Sequence, residues 1–110
     1  MEEPSLALNL KDMQKICVPE NIILTMHAAK RIEQRGILLR DIIACIMTGE
    51  IIEQYADDYP YPSCLVLGNH CSDKPLHTVV GTDGNYLWII TAYYPSSQKW
   101  LEDLKTRKEN

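Results

Sequence analysis

A chain of 110 residues, 45% of them hydrophobic, with five glycines and six prolines, has room for one domain around one core. Its net charge of −4 argues against broad affinity for a phosphate backbone, though a small basic cleft stays compatible with an acidic body. No apolar run approaches the roughly 18 residues that cross a bilayer, and Met1-Glu2-Glu3-Pro4 lacks the basic start of a signal peptide, so the expectation is a cytoplasmic protein without membrane contact.

Leu10, Met13 and Cys17 recur at helical spacing between Lys11, Asp12 and Lys15, which predicts a short helix within Leu8 to Cys17. Pro19 and Asn21 break it. Ile22-Ile23-Leu24 then leads to Thr25, whose hydroxyl can cap a second helix running to Arg35, with Gly36 as its left-handed stop. Leu39, Ile42, Ile43, Ile46 and Met47 follow the i, i+3, i+4, i+7, i+8 pattern of a third helix that Gly49 ends. Residues 1–21 are thus expected to be an N-terminal helix and linker, and 22–110 a single domain.

Past Gly49 the period shortens to that of strands. Glu50 to Tyr55, Ser63 to Leu67, Leu76 to Thr82 and Tyr86 to Tyr93 read as four strands, the last two joined at Asp83-Gly84. Pro95-Ser96-Ser97 stops the sheet and opens a last helix with Trp100, Leu101 and Leu104, after which the charged tail from Lys105 is expected to fray. The fold class is α+β: N-terminal helices, then a four-stranded, mainly antiparallel sheet with helices on one face, then a C-terminal helix.

The chemistry-bearing residues are few. His27 and Arg31 stand four apart on one helix, where a proton carrier and a permanent cation share a face. A bland alternative pairs Arg31 with Glu53. Cys17, Cys45, Cys64 and Cys71 form no CxxC pair and read as reduced structural thiols. Cys64, His70, Cys71 and His77 crowd into one span but match no common zinc spacing. Neither metal nor cofactor is expected. Hairpin register decides whether His77 joins Tyr93: a two-residue turn at Asp83-Gly84 separates them onto opposite faces, and a Thr82-Asp83-Gly84 loop with a bulged glycine unites them.

Gly49-Glu50-Ile51-Ile52-Glu53-Gln54-Tyr55, Pro62-Ser63-Cys64-Leu65, Pro75-Leu76-His77 and Thr91-Ala92-Tyr93-Tyr94-Pro95 with Trp100 resemble the domain-of-unknown-function 4258 family. His27-Ala28, Arg31 and Arg35-Gly36-Ile37 also match, so the resemblance covers about residues 22 to 107. It implies a fold similar to the RelE/ParE toxins and related metal-independent ribonucleases, hence an RNA substrate and an antitoxin partner. RNA cleavage of that kind needs a base, a phosphate clamp and an acid. His27, Arg31, His77 and Tyr93 are the expected catalytic set, with Thr91, Arg35 and Glu53 binding substrate. From a different class, the same fold could be a noncatalytic module that binds a protein or forms a homodimer, using Tyr59, Tyr61 and the Pro60/Pro62 loop.

Overall fold

The computed structural model describes residues 7–109; the expectation drawn from Met1-Glu2-Glu3-Pro4 lies outside them. Among the described residues three α-helices, α1 (Leu10–Lys15), α2 (Met26–Gln34) and α3 (Leu39–Thr48), accompany five strands, β1 (Ile22–Leu24), β2 (Glu50–Tyr55), β3 (Ser63–Asn69), β4 (Pro75–Thr82) and β5 (Leu87–Tyr93). The fold is α+β, as expected, but the sheet is mixed and has five strands rather than four, in the order β1-β5-β4-β3-β2. The added strand is the apolar lead-in Ile22–Leu24, which pairs parallel to Leu87–Ile89. Three residues are too few to display a strand period, and only the free edge of β5 turns them into one.

Local chemistry sets the helix ends. Thr25 Oγ1 accepts from the Ala28 N–H, and Gly36 closes α2 with φ +70, a left-handed value that costs a side chain about 1 kcal/mol or more. The Leu38 side chain has no oxygen with which to cap α3. The buried Asp41 carboxylate takes over by accepting from the Leu38 N–H at 2.8 Å. Ile32 of α2, Ile42, Cys45 and Ile46 of α3 and Met13 of α1 pack on Cys64, Val66, Leu76, Val80, Leu87, Ile89 and Ala92 of the sheet. The helices therefore cover one sheet face, and the core lies beneath them. Gly68 makes this close approach possible, because a Cβ there would sit 1.9 Å from the Cys45 carbonyl oxygen.

The other face is not left open along its whole length. Residues 96–107, expected to be a helix followed by a frayed tail, form a non-helical strap that folds across it. One turn begins where Trp100 N–H donates to the Ser96 carbonyl. Asp103 Oδ1 then accepts from the Lys105 and Thr106 amides, and this local side-chain bonding competes with helix propagation. Leu104 adopts φ +60, and the chain turns back so that Trp100 bridges to Arg107. Lys105 is pinned to Glu50 at 2.7 Å.

Candidate functional site

Register builds the site. Thr82↔Leu87, Gly81↔Trp88 and Val80↔Ile89 pair first, an irregularity follows between Val79 and Val80, and then Val79↔Thr91, Thr78↔Ala92 and His77↔Tyr93 pair. Neither turn expected from Asp83-Gly84 accounts for this. The hairpin loop is longer, because Asp83 Oδ1 accepts from both the Asn85 and Tyr86 amides, and the bulge falls at Ile90 in mid-strand. His77 and Tyr93 thus share the helix-free face. Glu53, Leu65, Val79 and Thr91 form the adjoining row across four strands.

His77 is completely buried, yet both ring nitrogens have partners. Nε2 lies 2.8 Å from the Leu104 carbonyl and Nδ1 lies 3.3 Å from the Tyr93 hydroxyl. A carbonyl only accepts, so Nε2 carries the proton and Nδ1 accepts from the Tyr93 O–H. Trp100 meets the imidazole edge-on, with ring centroids 4.6 Å apart. Burial lowers the His77 pKa below its usual 6.5, against an opposing push from the Leu104 hydrogen bond and the Glu53 charge. Burial likewise raises the Tyr93 phenol. At neutral pH the pair is an uncharged imidazole facing an uncharged phenol.

Cations surround the phenol. A hollow of about 310 Å³ is lined by Arg35, Tyr93, Ser96, Lys99, Trp100 and Arg107. Arg35 enters it around the β5 edge left free beyond β1, donating from Nη1 to the Ala92 carbonyl at 2.9 Å and to Thr91 Oγ1 at 3.2 Å. Arg107 stacks over the Trp100 ring at 4.6 Å. It also makes a two-pronged pair with Glu53, at 2.9 and 3.0 Å. Those bonds from Arg107 hold the Glu53 carboxyl below its usual range. Tyr55 also donates to Glu53, so the carboxylate is a tether for the guanidinium. Arg31 is not its partner.

Five of the seven expected site residues, His77, Tyr93, Thr91, Arg35 and Glu53, converge here. His27 and Arg31 do not touch the cluster. Both are exposed on α2, and from Arg35 they stand about 12 and 6 Å back along the helix axis at ~1.5 Å per residue. Lys99 and Arg107 were missed for different reasons: Lys99 falls in a stretch that reads as a helix, and Arg107 in a charged tail that reads as frayed. The available signal was Trp100, a large aromatic in a polar stretch that must find cover. Cys64 belongs to the helix-side core, and His77 lies across the sheet from it. Among the described residues no group of three or more His, Cys, Asp or Glu is placed to hold a metal ion. No helix is long and apolar enough to cross a membrane among those same residues.

Comparison with curated proteins and with solved structures finds no match. Residues 24–94 match the family described as Domain of unknown function (DUF4258). The matched stretch carries the floor of the hollow and Arg35, and the strap follows it. The chain belongs to the DUF4258 family.

Proposed function

We propose that this domain binds a phosphodiester of RNA in the Arg35/Lys99/Arg107 hollow and cleaves it by metal-independent general acid-base chemistry. The observation that carries the reading is the His77–Tyr93 pair opening onto three cations. The RelE/ParE-like fold that the DUF4258 resemblance implies would point the same way by analogy alone. The larger hollow of about 590 Å³ is lined by Asp57 and Asp58 and would repel a phosphate.

Tyr93 Oη takes the proton of the ribose 2′-hydroxyl as its own proton passes to His77 Nδ1. The imidazolium so formed keeps its Nε2–H bond to the Leu104 carbonyl and is favoured by the Glu53 carboxylate. The 2′-oxygen bonds to phosphorus, the bond to the 5′-oxygen breaks, and the Lys99 ammonium protonates the departing oxygen. Arg35 and Arg107 face the charge that accumulates on the phosphoryl oxygens, where a planar fork is most effective. The products are a 2′,3′-cyclic phosphate and a free 5′-hydroxyl. His77 returns its extra proton through the Tyr93 hydroxyl to water in the hollow, and Lys99 regains one from water.

Purified protein should cut a labelled single-stranded RNA in the presence of a chelator and leave 2′,3′-cyclic ends, and the 2′-O-methyl version should survive. Growth arrest on expression alone, relieved by Tyr93→Phe, would mark a toxin that needs an antitoxin partner. RNA left intact at high enzyme concentration would sink the catalytic reading in favour of a noncatalytic module.

A further inference from the structure

Two expected site residues reach neither the hollow nor any partner. His27 and Arg31 are exposed on α2, and their side chains make no hydrogen bond or ion pair among the described residues. Arg107, in contrast, is tied to Glu53. An arginine with no carboxylate beside it keeps its full charge for something outside the chain.

The row they form has one end fixed in space. Positions 27, 31 and 35 step by about 40° and 6 Å each, so they make one oblique line beside the buried Ala28 and Ile32. The last member, Arg35, is anchored on Ala92 and Thr91 at the lip of the hollow. Glu33 is about 200° around the helix from Arg31, on the opposite flank. In a chain of net charge −4, a line of basic side chains that ends in a cationic hollow is a local concentration of positive potential.

We propose that the His27–Arg31–Arg35 flank of α2 is a phosphate track that guides a single RNA strand into the hollow. The substrate class is therefore a single-stranded RNA of several nucleotides, and a dinucleotide is too short to use it. This rests on the reading of the hollow as a phosphodiester site. Arg31 forks onto one flanking phosphate, and the His27 ring donates to the next. Neither group touches the reacting atoms.

The test uses the full chain and a non-cleavable 2′-O-methyl oligouridylate, as hexamer and as dimer, with binding followed by fluorescence anisotropy across a range of NaCl concentrations. Each phosphate neutralised on a single strand adds about 0.7 to the slope of log affinity against log salt. Arg31→Gln should reduce the hexamer slope by about 0.7 and weaken hexamer binding severalfold, with the dimer held as before. Arg40→Gln, an exposed cation on α3, serves as the control and should leave the hexamer slope unchanged. A hexamer slope identical in wild type and Arg31→Gln overturns the track while the hollow stands. Equal loss from Arg31→Gln and Arg40→Gln also overturns it, as a mere effect of net charge. Failure of the wild type to hold either oligomer removes the phosphodiester reading and the track together. In that event, capture of an acidic peptide by the same flank would reassign it to a protein partner.

Discussion

His77 shows how one side chain acquires a defined protonation state without touching solvent. The Leu104 carbonyl selects the Nε2–H tautomer, and Tyr93 supplies the complementary donor. On the proposed ribonuclease reading, Tyr93→Phe should lower RNA cleavage by on the order of 100-fold or more. It should also cost about 1–3 kcal/mol in urea unfolding, because Nδ1 is left buried without a donor. Burial depresses the folded His77 pKa below the unfolded 6.5, so below that pH the unfolded chain binds the extra proton. Stability from this group is present above pH 6.5 and falls as the solution is acidified toward the folded pKa. His77→Gln should flatten that part of the pH–stability curve, measured by thermal unfolding between pH 7 and 5. The identities of His77, Tyr93, Thr91, Arg35 and Glu53 were legible as chemistry in the sequence. Their convergence was not, since it depends on where a single bulged residue falls in β5.

At the scale of elements, legibility followed the strength of local signals. The α2 and α3 spans were readable because a capping threonine, a stop glycine and a five-residue apolar stripe all act within a few residues of each other. The Ile22–Leu24 strand and the strap were unreadable for opposite reasons. The strand is too short to carry a period, and the strap carries Trp100, Leu101 and Leu104 at spacings a helix would accept. Asp103 overrides that spacing with its side-chain bonds to the backbone. Thr25→Ala should cost about 1 kcal/mol as a lost cap. Gly68→Ala should be far more damaging, about 3 kcal/mol or more, because its Cβ would meet the α3 backbone at Cys45 rather than a movable side chain. Chemical denaturation of both variants beside the wild type checks the ranking.

For the molecule as a whole, an acidic balance coexists with a basic hollow because the cations come from distant parts of the chain. Arg35 ends α2, and Lys99 and Arg107 arrive on the strap. Composition records only the sum and is blind to such segregation. Glu53 connects the two ends of this arrangement, since it binds Arg107 from β2. Its folded carboxyl titrates below the ordinary 4.5, so the tether is complete above that pH and is lost as pH falls through the folded value. Glu53→Gln should change global stability by only about 1 kcal/mol, because the Arg107 end of the pair is more than half exposed. It should loosen the strap, however, and speed modification of His77 by diethyl pyrocarbonate several-fold relative to the wild type.

The oxygen that holds the imidazole belongs to main chain, so no change of side chain at position 104 can delete it. What such a change can do is rotate it. The positive φ of Leu104 is tolerated poorly by residues branched at Cβ and easily by glycine. Valine at 104 would thus swing the carbonyl off Nε2 and leave the second tautomer free to form, whereas glycine would hold the oxygen in place. A spectroscopic titration of His77 in the two variants would register a backbone torsion as an acidity difference, far away in sequence from the residue that was altered.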